Sequence, residues 1–150
     1  MPIAVLLVND SLKRKTDMNT TIMHQTTIQS MAGNLSFPEV VQMLVAEGVE
    51  SYRADLIRFE KIFYMPNGES YSEKFSFEAS PVAVDFSETG VVAAIRAIQA
   101  KRINYQEFLR QIMAAGTTHY SVYLNGKRAI YFGRKGEFHV EYFPSAPIKP

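Results

Sequence analysis

The feature that most constrains this chain is that it contains the same stretch twice. Displaced by 68 residues, positions 36–75 lie over positions 104–143 without a gap, and 10 of the 40 pairs are identical. Chance on ordinary composition would give about two or three. The identities are spread along the stretch: Glu39, Ala46, Gly48, Tyr52, Leu56, Ile62, Gly68, Glu69, Glu73 and Phe75 match Glu107, Ala114, Gly116, Tyr120, Leu124, Ile130, Gly136, Glu137, Glu141 and Phe143. A pattern written twice has to fold as the same local unit twice. A unit of about 65 residues buries too little surface to be robust alone, so the two copies are expected to share one core.

Each copy opens on a helix signal. Ser36 precedes Glu39, and Asn104 precedes Glu107, at capping-box spacing. Apolar pairs then recur at helical intervals, Val40, Val41, Leu44 and Val45 in the first copy, Phe108, Leu109, Ile112 and Met113 in the second. Gly48 and Gly116 follow the last apolar turn, where a left-handed residue ends a helix without steric cost. After the glycine the period falls to two, with Tyr120, Val122 and Leu124 alternating with His119, Ser121 and Tyr123. Asn125-Gly126 reads as a two-residue hairpin turn, and Lys135-Gly136 reads as the next. The fold class expected is α+β: a tandem duplication of a helix plus a three-stranded antiparallel meander, packed as a pseudo-two-fold single body.

Those turns set a register in which Leu124 faces Lys127, Tyr120 faces Tyr131, and Tyr131 faces Val140. One sheet face would then carry Tyr120, Val122, Leu124, Ala129, Tyr131, Val140 and Tyr142 against the helix. The other would carry His119, Ser121, Tyr123, Arg128, Ile130, Phe132, His139 and Glu141. This second face is mixed, and its His119, Tyr123, Arg128, Phe132, His139 and Glu141 are the candidate binding residues.

Outside the repeat core, residues 3–8 form an apolar run followed by Asn9, Asp10 and the basic Lys13, Arg14 and Lys15. Charge after the apolar run is the wrong order for a secretory signal, and six residues are too few to span a bilayer. Residues 1–17 are read as a disordered extension, with an edge strand as the alternative, and 18–150 as one domain of two repeats at about 19–75 and 87–143. A weak helix pattern runs from Thr20 to Ala32; its counterpart is stronger, with Ser87 as N-cap and Val91, Ile95 and Ile98 on one face. Residues 77–86 read as a short strand or connector, and the proline-bearing tail 144–150 as extended.

The chemistry of the residues excludes more than it selects. There is no cysteine, so disulfides and thiolate zinc sites are ruled out, which fits a reducing cytoplasm. The formal charge of +1 gives no overall pull toward nucleic acid or membrane. The copies differ, however: 36–75 holds four basic against seven acidic residues, net −3, and 104–143 five against three, net +2. No phosphate-loop glycine pattern occurs. In the predicted register His119 and His139 lie two strands apart, about 9–10 Å, too far to share one metal ion, and neither metal nor cofactor is expected. A His139–Glu141 acid–base pair is conceivable, but no catalytic set is expected. His24 reads as a surface residue. Arg53, Asp55, Glu60 and Glu73 read as cross-strand ion pairs on the mixed face. The aromatic strands could stack bases, but no RNA-binding signature accompanies them, and core packing is the simpler account.

One resemblance emerges from these residues. The capped helix ending before Gly48, the strand from Ser51 to Asp55, and the run Phe63-Tyr64-Met65-Pro66-Asn67-Gly68-Glu69 resemble the YdfO/YbcV family. So do Ala115-Gly116, Ile130-Tyr131-Phe132 and Val140-Glu141 in the second copy. These are small bacterial and prophage-encoded proteins, sometimes labelled phage envelope protein. The resemblance covers about 19–143 and implies a duplicated α+β fold and a mobile-element origin, without an activity. The function expected is a non-enzymatic binding or regulatory protein, cytoplasmic, with a protein or small-ligand partner. The alternative is an enzyme or small-ligand binder at the repeat junction, where His119, His139, Tyr52 and Asp55 would converge. Because residues 1–17 have no repeat partner, a chain starting at Met18 should melt within about 2 °C of the full chain in a thermal scan. A larger drop would show residues 3–8 to be a paired strand.

Overall fold

The structure, a computed structural model, describes residues 20–144. The expectations for residues 1–17 and for the tail beyond Pro144 lie outside it. The elements run α1 (Thr20–Met31), α2 (Phe37–Ala46), β1 (Ser51–Asp55), β2 (Glu60–Tyr64), β3 (Ser70–Lys74), α3 (Glu88–Gln99), α4 (Tyr105–Ala114), β4 (His119–Tyr123), β5 (Arg128–Phe132) and β6 (Phe138–Tyr142). Every boundary in the second set is the first shifted by 68 residues, so the repeat unit is two helices followed by a three-stranded meander.

The helices start and stop where local chemistry dictates. At α2, the Glu39 N–H donates to Ser36 Oγ at 3.3 Å, and the Ser36 N–H donates to Glu39 Oε1 at 2.9 Å, a complete capping box. At α4, Asn104 Oδ1 accepts from the Glu107 N–H at 2.9 Å. Ser87 caps α3 by accepting from the Gly90 N–H at 3.0 Å. The threonines that weaken the α1 pattern turn their hydroxyls back on the helix: Thr26 and Thr27 both donate to the Met23 carbonyl, at 2.8 and 3.0 Å, and are buried without an unmet donor. At the end of α4, the Thr117 N–H reaches back to the Ile112 carbonyl and the Gly116 N–H to that of Met113, with Gly116 at φ +90°. This is a Schellman stop, and Val49, Gly48, Leu44 and Val45 repeat it at α2, with Gly48 at φ +78°.

The six strands form one antiparallel sheet in the order β3-β2-β1-β4-β5-β6. The copies join through β1 and β4, and Arg53 pairs with Ser121, its own counterpart in the repeat. A pseudo-two-fold axis therefore passes between these two residues. Tyr52, Ala54, Phe63, Tyr120, Val122, Ala129 and Tyr131 are buried on one sheet face, where they pack with Leu44, Val91, Ile95, Leu109 and Ile112 of the helices. Residues 76–87 form an irregular connector rather than a strand. It is held by Arg134, whose guanidinium donates to the Val82 and Ala83 carbonyls at 2.7 and 3.4 Å.

Two turns differ from the sequence reading. The β4–β5 hairpin has a four-residue loop, 124–127, and its left-handed residue is Lys127 at φ 52°, not Asn125 or Gly126. The same loop occurs at 56–59, with Phe59 at φ 52°. There Ile57-Arg58 stand in the middle, and a β-branched residue cannot take the positive φ of a type I′ turn. The register survives, because either loop leaves Tyr123 opposite Arg128. The β5–β6 turn is different in consequence. Its loop has three residues, Arg134-Lys135-Gly136, closed by Gly133 N–H to Glu137 C=O at 2.8 Å with Gly136 at φ 82°. The extra residue moves the register by one: Tyr131 faces His139, not Val140. All of β6 is thereby turned over. Val140 and Tyr142 lie on the outer face, and His139 and Glu141 on the helix side.

The two helix-stop glycines sit in different surroundings. A Cβ on Gly48 would meet only the Met65 side chain, at 3.8 Å, whereas on Gly116 it would press on the Asp85 carbonyl and lie 2.8 Å from Phe86 Cα. Gly48→Ala should cost about 1–2 kcal/mol from the left-handed backbone alone. Gly116→Ala should cost about 1–3 kcal/mol more, because connector backbone must also move. Urea unfolding of the two variants measures the difference, and equal losses would contradict it.

Candidate functional site

The helices leave the second sheet face uncovered among the described residues. The pairings order it into three rows across the strands. One row is Ser70, Tyr64, Ser51, Tyr123, Arg128, Tyr142; the middle row is Ser72, Ile62, Arg53, Ser121, Ile130, Val140; the third is Lys74, Glu60, Asp55, His119, Phe132, Phe138. The half built by the first copy is polar, and Glu60 there pairs with Arg58 at 3.3 Å and Lys74 at 3.9 Å. The half built by the second copy is aromatic. Phe138 and Tyr142 are each 61% exposed and Tyr123 39%, so aromatic surface on this face is left to solvent.

Four of the six sequence-derived candidates share this face: His119, Tyr123, Arg128 and Phe132. The His119 and Phe132 rings stack at 4.6 Å, 11° from parallel, and the Arg128 guanidinium lies over Tyr142 at 4.8 Å. Burial, and then the Arg53 charge, hold the His119 imidazole below its ordinary 6.5 against the opposing pull of Asp55. At pH 7 the ring that stacks on Phe132 is therefore neutral. His139 and Glu141 are on the other side of the sheet, as a consequence of the three-residue turn. Glu73, read from sequence as part of the mixed face, is there too, by the matching three-residue loop Pro66-Asn67-Gly68 in the first copy. Tyr52 is also on the helix side, so His119 and Asp55 are separated by the sheet from His139 and Tyr52.

The seam between the copies holds a depression of about 470 Å³, and Ser51, Arg53, Tyr64, Ser121 and Tyr123 are among its lining residues. Ser51 is the cross-strand neighbour of both Tyr64 and Tyr123, so the two rings flank it on either side. Arg53 is exposed and makes no ion pair with another described residue, and the Asp55 carboxylate beside it accepts through Oδ1 from the Ile57 and Arg58 N–H groups, both at 2.9 Å. Sequence reasoning passed over Ser51 and Tyr64. A serine is an unremarkable strand residue until pairing shows it between two tyrosines.

On the helix side, His139 Nδ1 lies 2.6 Å from Glu88 and Nε2 lies 3.1 Å from Glu141, which also takes Arg96 at 2.8 Å. This network ties β6 to α3. Its counterpart in the first copy has Tyr71 donating to Glu73 at 2.6 Å, with His24 Nδ1 of α1 2.7 Å from the same carboxylate. Lys61 stands where the second copy has Ala129. It is only 3% exposed, with its ammonium 4.7 Å from the Tyr105 ring and 5.7 Å from that of Tyr52. Tyr105 in turn shares a hydrogen bond with Tyr120. Burial first, and the neighbouring tyrosines next, raise Tyr52, Tyr120 and Tyr131 above the ordinary phenol range, so all three are neutral in the core. Among the described residues no three His, Asp or Glu side chains cluster as metal ligands, and no helix is long and apolar enough to cross a membrane.

Glu141 gives the network a pH signature. Burial alone would raise its carboxyl, but the hydrogen bonds and charges of Arg96 and His139 outweigh burial and hold it below 4.5. A folded-state value below the unfolded one stabilises fully above the unfolded value and is lost as pH falls through the folded one. Unfolding free energy should therefore fall as pH drops below the ordinary carboxylate range, and Glu141→Gln should flatten that limb while lowering stability at pH 7. Urea titrations at several pH values test this; an unchanged acid limb in the variant would remove Glu141 as its source. No curated protein matches the sequence. Residues 25–141 match the profile of a family described as a protein of unknown function, DUF1398, and the chain belongs to that family.

Proposed function

We propose that this member of the DUF1398 family is a non-enzymatic binding protein, and that it receives its ligand on the open sheet face, centred on the seam between the repeats. The observation that carries this reading is the one-sidedness of the sheet. Seven residues of one face go into the core, while the other keeps His119, Tyr123, Arg128, Phe132, Phe138 and Tyr142 outside it. Aromatic surface left in water costs hydrophobic free energy that burial against the helices would have recovered, and a ligand that covers it recovers that term. In this reading the protein works in the cytoplasm of a bacterium, in the prophage-associated setting that the YdfO/YbcV resemblance implies. A catalytic site at the repeat junction has less support, since the sheet separates Tyr52 and His139 from Asp55 and His119.

The test is a thermal-shift screen of a metabolite library, followed by amide chemical-shift mapping of each hit. Hits should perturb β1, β4 and β5, and Tyr123→Ala combined with Phe132→Ala should abolish them while the far-UV circular dichroism stays that of the wild type. Hits that map to the helical layer and survive the double substitution would overturn the reading.

A further inference from the structure

The pseudo-two-fold axis carries each position of the seam onto a counterpart, and one pair of counterparts differs in a telling way. Tyr64, Ser51 and Tyr123 occupy consecutive strands of one row, and the axis places them over Phe132, His119 and Asp55 in another. In the second copy the His119 imidazole stands on the middle strand and stacks on Phe132 at 4.6 Å, nearly parallel. In the first copy the aromatic partner is kept as Tyr64, but the middle residue is Ser51, whose side chain has no ring. The space that the imidazole fills on one side is part of the 470 Å³ depression on the other. Tyr123, in place of Asp55, closes the far wall with a second ring.

The strand spacing on either side of Ser51 leaves room for one ring. Strands two apart are separated by about 9–10 Å, and two aromatic contacts at centroid spacings of about 4.5–5 Å fill that distance. Two charged residues, Arg53 and Glu50, are among those that line the depression. Arg53 lies one position along the same face from Ser51, exposed and without an ion-pair partner among the described residues. The Ser51 and Ser121 hydroxyls add polar groups.

We infer that the slot over Ser51 binds a planar heteroaromatic ring between Tyr64 and Tyr123, with an anionic group on Arg53: the chemistry of a nucleotide. This rests on the reading of the open face as the binding face and adds the ligand class and position. The ring takes the place that His119 holds in the other copy, and the guanidinium supplies a charge-assisted bond to the phosphate. A free nucleotide and the end of a single strand present the same groups.

Isothermal titration calorimetry on the full chain tests the assignment, with adenosine 5′-monophosphate, adenosine, ribose 5-phosphate and a single-stranded oligoadenylate hexamer as probes. Adenosine monophosphate should bind at one site, adenosine at least several-fold more weakly, and ribose 5-phosphate not detectably. A hexamer at least tenfold tighter than the mononucleotide identifies a strand as the source, and comparable affinities identify the free nucleotide. Ser51→His should abolish binding by filling the slot as His119 does, with an unchanged or raised melting temperature. Tyr64→Ala should weaken binding at least tenfold, and Arg53→Gln should reduce the mononucleotide to the affinity of adenosine. Nucleotide binding that survives Ser51→His overturns the position, and no binding of mononucleotide or hexamer at millimolar concentration overturns the ligand class. Both failures leave the broader open-face reading standing, because that reading falls only when ligands map to the helical layer.

Discussion

The structure depends on the antiparallel pairing of β1 with β4. Either meander alone would be a three-stranded sheet under two helices, with its inner edge, β1 or β4, open as well as its outer one, and edges left open invite pairing with other chains. Joining the first strand of each copy removes both inner edges and makes one six-stranded sheet. The pairing also continues past the strand ends: the Leu56 N–H donates to the Thr118 carbonyl at 2.8 Å and the Leu124 N–H to the Glu50 carbonyl at 3.1 Å. These two bonds are related by the axis. Leu56 and Leu124, both buried, are thereby fixed at equivalent places in the shared core.

The helix layer follows from that sheet. The alternation of β1, β2, β4 and β5 supplies one apolar face, and the capped helices cover it with Leu44, Val91, Ile95, Leu109 and Ile112. Each such side chain, fully buried, contributes about 1.5–3 kcal/mol. The outer strands β3 and β6 have less apolar material to offer. They are held to the helices by polar contacts instead, Glu73 with His24 on one side and Glu141 with Arg96 on the other. The core thus grades from apolar at the seam to ionic at the edges, and the shifted carboxyl of Glu141 belongs to that periphery.

Much of this was legible in the residues. The 68-residue offset specified the duplication, the capping residues and glycines bounded the helices, and the alternation of Tyr120, Val122 and Leu124 identified the buried face. What was not legible turned on a single residue. Lys135-Gly136 permits a two-residue turn, and Arg134-Lys135-Gly136 a three-residue one; the glycine needs a left-handed backbone in both. Composition of β6 did not arbitrate, because Phe138, Val140 and Tyr142 look more core-like than His139 and Glu141. The polar pair goes inward because Arg96 and Glu88 of α3 wait there, a tertiary fact that no local pattern encodes. The seam slot was hidden for a related reason: it is defined by which strands are neighbours, and β1 beside β4 is a pairing across 68 residues of chain.

The seam also bears on how the two copies came to differ. Two identical chains paired as β1 and β4 are would form a homodimer whose symmetry repeats every substitution, so its two slots would be filled together or left open together. Placing both units in one polypeptide breaks that bond. His119 could then seal one slot with Phe132 while Ser51 kept the other free, and Arg53 could keep its charge although Ser121 across the axis has none. A single chain that holds both units can carry a ring stacked on Phe132 at position 119 and a ringless serine at position 51, a difference between halves that a symmetric pair of identical chains cannot have.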